Sequence, residues 1–347
     1  MKWFPEIVST PLTSPYHLIT HEVLLPYHSM ASINIGHLIW DDFFPLYTLL
    51  KIFGLEEERI KYVRYVGEEA NWATCEYKGV AGLNLPRCVR NFVRFFKMMV
   101  GGEGLLNDGV PYTNENLEES VDLEEEVEYI CWEKSVAGIG LLTDHGKKLH
   151  GWDKEDYEYS YNIGKGRLMK EFRDFAVGNI GLDYNSKVHG ADDKIRITFS
   201  TMSSASPARR LTFKKQIQNV KELYANDASV IIEEYNLADL DAKQQVEIHM
   251  KTNVMVTAAG GGAVTSMFLP DGAALILYYD SLGTNGNTKR PIGHPARLDW
   301  DYFNNMAYVR TSWLPIVGMD DDALEVFTGI VEMEVENYKS FRMKTER

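Results

Sequence analysis

With 347 residues, 45% of them hydrophobic and 12% aromatic, the chain has material for two packed cores and is too apolar for a disordered polypeptide. A formal net charge of −14 excludes the clustered basic surface that nucleic acids and anionic membranes need, although a few local arginines can still hold a small anion. The three cysteines, Cys75, Cys88 and Cys131, show neither CxxC nor zinc spacing, so buried thiols are expected, with one disulfide as the other option.

The N-terminal stretch MKWFPEIVSTPLTSPYH lacks the apolar core of a signal peptide, and no segment reaches the unbroken apolar length of a membrane helix. A soluble globular chain is expected. The first unusual stretch is Tyr27 to Leu50. After Gly36, apolar residues at helical spacing predict a mostly buried helix, with His37, Asp41 and, less closely, Asp42 near one face. A histidine and carboxylates at the start of such a helix need partners; they are either a cap with a satisfied core histidine or a general base at a cleft. KYVRYVG (61–67) alternates as a strand, and a short strand is expected at 76–82. Arg87 to Val100 predicts a helix whose Arg87, Arg90, Arg94 and Lys97 form a solvated stripe.

The Gly-, Asn- and acid-rich run 101–128 reads as a mobile surface insertion. Strand character returns at Tyr129 to Gly140, a helix follows within 164–182, and 185–194 is the expected linker. The domains are accordingly 1–190 and 191–347.

In the second half, strands at Lys194 to Ser200 and Ser229 to Glu234 alternate with helices at Lys214 to Ala225 and Asp241 to Lys251. Asn253 to Asp280 then reads as strand, triple-glycine loop, short helix and strand. This alternation implies right-handed crossovers and a parallel sheet, with ligands at the carboxyl ends of its strands. The loop carrying Arg209 and Arg210 thus falls on the same edge as Gly260, Gly261 and Gly262, a candidate diphosphate clamp. Asp299-Trp300-Asp301 has the spelling of a metal site but opens a predicted helix, where acids commonly cap, and Asp320-Asp321-Asp322 is read the same way. The glycine loop is not GxGxxG, which disfavours a nicotinamide oxidoreductase.

INIGHLIWDDFFPLYTLL, CWEKSVAGIG, RLMKEFRDFAVGNIGL, the run from QQVEIHMKTNVMV to AAGGGAVTSMFLPDGA, and LDWDYFNNMAYVRTSW occur here in the order of corresponding motifs in glycosyltransferase family 61, which the chain resembles. The FLPDGAA segment is similar to that of the EGF-domain-specific O-linked N-acetylglucosaminyltransferases; the family also includes plant xylosyl- and arabinosyltransferases. The resemblance implies a GT-B architecture, two Rossmann-like domains facing across a cleft, with the acceptor on the N-terminal side and the sugar nucleotide on the C-terminal side. It implies inverting transfer of N-acetylglucosamine or a pentose such as xylose from a UDP-sugar to a protein or glycan hydroxyl. Asp41 or Asp42 is then the base, with His37 orienting it or taking that role. Arg209, Arg210, the amides of Gly260 to Gly262, the Thr265 hydroxyl and, more weakly, Gln245 hold the donor. No metal or other cofactor is required, and divalent-metal dependence stays open. Relatives usually work in the secretory lumen (Golgi or ER); a cytoplasmic chain is the other option. The family's glycine-loop histidine is absent, with Ala259 or Gly260 in its place, and its last-strand glutamate is Leu277 or Tyr278. These departures motivate the alternative of a family member that has lost catalysis and binds carbohydrate or a partner.

Overall fold

A computed structural model of the chain describes residues 13–29, 32–66, 74–76, 84–101, 110–121, 127–138, 162–184, 194–202, 209–280, 295–316 and 321–345. The chain divides into two compact units, Met1–Leu141 and Leu142–Arg347. Each described sheet is wholly parallel, so the protein is α/β with a Rossmann-like sheet in each unit.

The first unit orders its strands β3-β2-β1-β4, with β1 at Tyr16–Tyr27, β2 at Ile60–Arg64, β3 at Tyr112–Thr113 and β4 at Tyr129–Ser135. β2 is buried along its whole length, the sign of a parallel strand covered on both faces. The Phe96 ring gathers the core, with Phe43, Tyr62, Phe92 and Tyr27 around it at centroid distances of 5.3, 5.6, 5.9 and 6.2 Å. Helix α1, Phe44–Phe53, ends at Gly54, whose φ of 65° only glycine adopts without cost. Helix α2, Asn84–Phe95, exposes Arg87 and Arg90, which make a solvated stripe.

Two expectations are corrected in this unit. The acidic run 101–128 is not only a surface insertion. It supplies β3, which pairs with β2 through Val63 and Arg64, and the Lys61 ammonium lies 4.7 Å from the Tyr112 ring centre. Cys75 and Cys88 are not free thiols but a disulfide, because α2 brings its buried Cys88 against the buried segment at Thr74 and Cys75. Cys131 is free and half-buried. The strand expected at 76–82 falls largely on residues outside those described, as do 102–109 and 122–126 of the acidic run and 185–193 of the linker.

The second unit runs β6-β5-β7-β8-β9: β5 Ile195–Ser200, β6 Val230–Tyr235, β7 Val254–Ala258, β8 Ala274–Tyr279 and β9 Arg310–Pro315. Alternate residues Ile195, Ile197, Phe199, Val254, Val256, Ala274, Ile276 and Tyr278 face one core, closed by α4 (Lys214–Leu223) and α7 (Asp321–Thr345) through Ile217, Val220, Phe327, Val331 and Val335. Met255, Leu275 and Leu277 alternate to the opposite face. Helix α5, Ala242–Lys251, starts with an Asp241/Gln244 capping box, and it packs on the segment Gly261–Phe268 that follows β7. Helix α6 is Arg297–Asn304.

Helix α3, Gly166–Asn179, grouped with the first half in the sequence, belongs to the second unit, where it also packs on Gly261–Phe268. Its position rests on Arg173, which is 1% exposed. The guanidinium lies 3.8 Å from the Tyr184 ring centre and 4.5 Å from that of Tyr308, 3.0 Å from both Asp174 and Asp271, and it donates to the Leu269 carbonyl at 3.1 Å. Burial works against its charge, but the Tyr184 and Tyr308 oxygens and the two carboxylates hold its pKa above the ordinary value. Arg173→Ala should cost about 2 kcal/mol, read as a lowered urea midpoint, because it removes the buried guanidinium packed on Tyr184 and Tyr308, while Asp271 keeps Lys170 and the Leu269 carbonyl keeps Tyr184. Arg173→Lys should recover only part of this, since an ammonium cannot stack and fork at once.

Candidate functional site

Strand order reverses between β1 and β4 in the first unit and between β5 and β7 in the second. The connections after these strands flank the crevices where parallel sheets take ligands.

In the first unit, β1 ends at Tyr27 and a helical run begins at Ile35, capped by the Asn34 side chain accepting from the Gly36 amide at 2.9 Å. The run is not regular. Leu38–Phe43 is π-helical, and Phe44 N–H donates to Ile39 O five residues back. Such wide turns are rare and concentrate at functional sites. The wider turn brings Asp42 round toward the side that carries His37 and Asp41.

His37 Nδ1 lies 2.5 Å from Asp41 Oδ2, and the imidazole is 18% exposed whereas the Asp41 side chain is fully buried. A carboxylate can only accept, so Nδ1 carries the proton and Nε2 is the ring's basic nitrogen. The histidine is therefore the more exposed member of the pair, with Asp41 holding its ring. Asp42, 2% exposed, accepts on Oδ2 from Ser29 Oγ at 2.8 Å and Ser32 Oγ at 2.5 Å, and the two hydroxyls also touch each other. Asn91 of α2 donates to the Ser32 carbonyl at 2.6 Å. Asp42 thus fastens the β1 connection to the helix and is poorly placed as a base. The Tyr27 phenol is buried without a hydrogen-bond partner among the described residues; burial, and then the Asp42 charge, push its pKa well up. Arg64, at the end of β2, pairs with Glu76 beside the Cys75–Cys88 bridge.

In the second unit, β7 runs into Ala259 and then Gly260 at φ 129°, ψ −170°, a backbone state essentially confined to glycine. A Cβ at Gly260 would stand 2.8 Å from Arg209 Nη1, which donates to the Ala259 carbonyl at 3.4 Å. Arg209 is thus seated on the glycine turn, while Arg210 is exposed. Gly261 and Gly262 precede the first intrahelical bond, from Ala263 N–H to Gly260 O at 2.9 Å, so their N–H groups lie at the open end of the helix.

Two donor-side expectations find different surroundings. The helix after the glycines, Gly261–Phe268, is a 3-10 helix, and it buries Thr265 to 2% exposure with the hydroxyl unpartnered among the described residues. Thr265 is thus inside the helix packing rather than at the mouth of the turn. Gln245 donates to the Leu237 and Leu240 carbonyls at 2.8 and 3.1 Å, bracing the connection after β6. The capping read for the Asp-x-Asp spelling also differs. Ala296 is the N-cap of α6, Asp299 sits in its first turn, and Asp301 is buried, accepting from Asn162 at 2.5 Å and Asn305 at 3.0 Å. Among the described residues, no group of three or more His, Cys, Asp or Glu is placed to hold a metal ion. The capping expected of Asp320 falls outside the described residues.

Sequence reasoning missed the π-helical turn, which has no pattern of its own in the apolar spacing. It also missed Ser29, Ser32 and Asn91; the small polar pair directly after a strand was the available signal. Comparison with protein-family models and with curated protein sequences gave no match for this chain.

His249, on the buried face of α5, reports the environment behind the glycine turn. Burial pushes it down to about 4, against the opposing effect of the Gln245 carbonyl that Nδ1 contacts at 2.7 Å. Because the folded value lies below the unfolded one of about 6.5, unfolded chains take the proton first as pH falls. Stability is therefore full above about pH 6.5 and declines toward pH 4, by about 3 kcal/mol. Urea melts at pH 7 and pH 5 should show a loss in the wild type that His249→Phe reduces.

Proposed function

We propose that the chain is an inverting glycosyltransferase of GT-B type, moving a sugar from a UDP-sugar to a protein or glycan hydroxyl. The observation that carries this is Arg209 seated on a triple-glycine turn at the switch point of the second sheet. A fixed cation beside helix-opening amides suits the two phosphates of a nucleoside-diphosphate leaving group. The hydrogen-bonded pair of His37 and Asp41 supports the other half of the chemistry. The acceptor hydroxyl gives its proton to His37 Nε2 as its oxygen attacks the anomeric carbon. The bond from that carbon to the phosphate oxygen breaks on the opposite face, and its electron pair leaves with the diphosphate, whose charge Arg209 and the Gly261 and Gly262 amides offset.

The five ordered motifs that resemble those of glycosyltransferase family 61 support the same assignment, including N-acetylglucosamine or a pentose as the sugar. The Cys75–Cys88 bridge favours an oxidising compartment such as the secretory lumen. A second reading, a family member that binds carbohydrate or a partner without turnover, is favoured by the burial of Thr265 away from the mouth of the turn.

A thermal-shift series with UDP, GDP, CMP and UDP-sugars, with and without manganese, tests the donor site. UDP at about a hundredfold over its Kd should add roughly 2.7 kcal/mol, seen as a raised Tm that Arg209→Ala abolishes. UDP release from the preferred UDP-sugar should fall roughly 10²- to 10⁴-fold in His37→Ala with the UDP shift kept. A UDP shift with no turnover of any UDP-sugar would select the binding protein, and no shift with any nucleotide would remove the donor site.

A further inference from the structure

Helix α5 also borders β6, the edge of the described sheet, and a cavity of about 370 Å³ opens between them. Neither Arg209 nor any of the three glycines lines it. The volume is at the low end for ligand sites, suited to a molecule of amino-acid size and small for a nucleotide sugar. Leu240 and Ile248 supply apolar surface, and four charged side chains, Arg196, Glu233, Glu247 and Lys251, border the same space.

The charges are arranged in levels. Parallel pairing sets Arg196 level with Ile231, Thr198 with Glu233 and Ser200 with Tyr235, so Arg196, Glu233 and Tyr235 climb one face in steps of roughly 6.6 Å. Helix α5 runs the other way, and its end is fixed against β5. The Asn253 amide donates to the Arg196 carbonyl at 2.9 Å, and the Thr252 and Thr198 hydroxyls meet at 2.8 Å. Lys251 therefore stands at the Arg196 level, Glu247 about 6 Å higher at the Glu233 level, and Leu240, before the helix starts, toward Tyr235. From bottom to top the groove is cationic, then acidic, then apolar with one phenol. Burial, and then the Glu233 charge, raise the Tyr235 pKa while Arg196 opposes them, so both charges are felt at the upper end.

Two cations and two carboxylates make the lining neutral as a whole but charge-separated along its length. A simple anion would be opposed by the carboxylates and a simple cation by the guanidinium and ammonium, whereas a ligand carrying both charges meets its complement at each level. Such a ligand can join ion pairs between the walls without leaving any charge unmet. We propose that this groove binds a free α-amino acid with an apolar side chain, at a site separate from the one assigned to the sugar nucleotide. The ligand's carboxylate meets Arg196 and Lys251, its ammonium lies between Glu233 and Glu247, and its side chain runs along Ile248 to Leu240 and the Tyr235 ring. Its carboxylate carbon and α-nitrogen are two bonds apart, which sets it at the boundary of the cationic and acidic levels. The planar fork of Arg196 suits a carboxylate in particular. The site stands whether or not the protein transfers sugar.

Isothermal titration of the whole protein with L-leucine and L-phenylalanine tests the site against N-acetyl-L-leucine, which lacks the ammonium, and L-leucinamide, which lacks the carboxylate. Both amino acids should bind saturably at one site, about tenfold or more tighter than either blocked compound or glycine. Glu247→Gln and Lys251→Gln, at half-buried and exposed positions where the fold is little affected, should each weaken L-leucine about tenfold and leave any UDP response unchanged. Equal binding of L-leucine and its blocked forms would overturn the proposal, as would undiminished affinity in both variants. No saturable binding of either amino acid at millimolar concentration would remove the site.

Discussion

A single buried guanidinium fixes much of the second unit. Arg173 is almost wholly out of water, a state that is costly unless every face of the cation is met. Two tyrosine rings take its faces, two carboxylates and a backbone carbonyl take its edge, and Lys170 adds a second cation to Asp271. These contacts join α3 to the turn Pro270-Asp271-Gly272. Gly272 is required there twice over, by a φ of 76° and by the Phe341 ring of α7, which a Cβ would meet at 2.5 Å. The segment that follows the glycine turn is consequently held at its far end by a cluster of aromatic and charged groups.

The two sheets reach similar sites by different local chemistry. In the first unit, the connection after β1 meets the buried Asp42 carboxylate with two hydroxyl donors, and the largely buried His37 imidazole meets Asp41. In the second, a cation rests on bare backbone. The sheet topologies differ as well, since the reversal lies between the first and fourth strands in one and the first and third in the other. The shared rule is geometric: at a reversal, neighbouring connections diverge and leave room above the strand ends.

Much of the layout was legible in the sequence. Parallel sheets followed from apolar strands alternating with helical spacing, and Arg209 fell on the glycine edge because both lie just beyond strand ends in adjoining strands. The spacing of His37 and Asp41 put them on one face, but it could not say which of them reaches solvent. Nor could it show that Asp42 is taken up by Ser29 and Ser32, with Ser32 held in turn by Asn91, fifty-nine positions away. Gln245 and Thr265 were less legible, since a polar residue near a site and one bracing its walls look alike until their partners are known. The place of α3 was also hidden: Arg173 and Asp271 are ninety-eight positions apart, and no local pattern announces that they meet.

The π-helical turn at Leu38–Phe43 also separates the chemistry of the first unit from its architecture. A π-turn accommodates one more residue than the α-turn it replaces, so the register of α1 beyond Phe44 and that of Ile35–His37 before it are set independently. Loss of one codon within this stretch would let the helix close into regular α geometry, with α1 still able to bury Leu46, Leu49 and Leu50. Because the π-turn holds one residue more than an α-turn for the same rotation, Ile35–His37 would keep its facing relative to α1, and what would be lost is the spacing that pairs His37 with Asp41 and Asp42 with Ser29 and Ser32. The burial of this helix and the polar pairing it carries are thus separable, and a single insertion or deletion could remove or restore the second while the first persists.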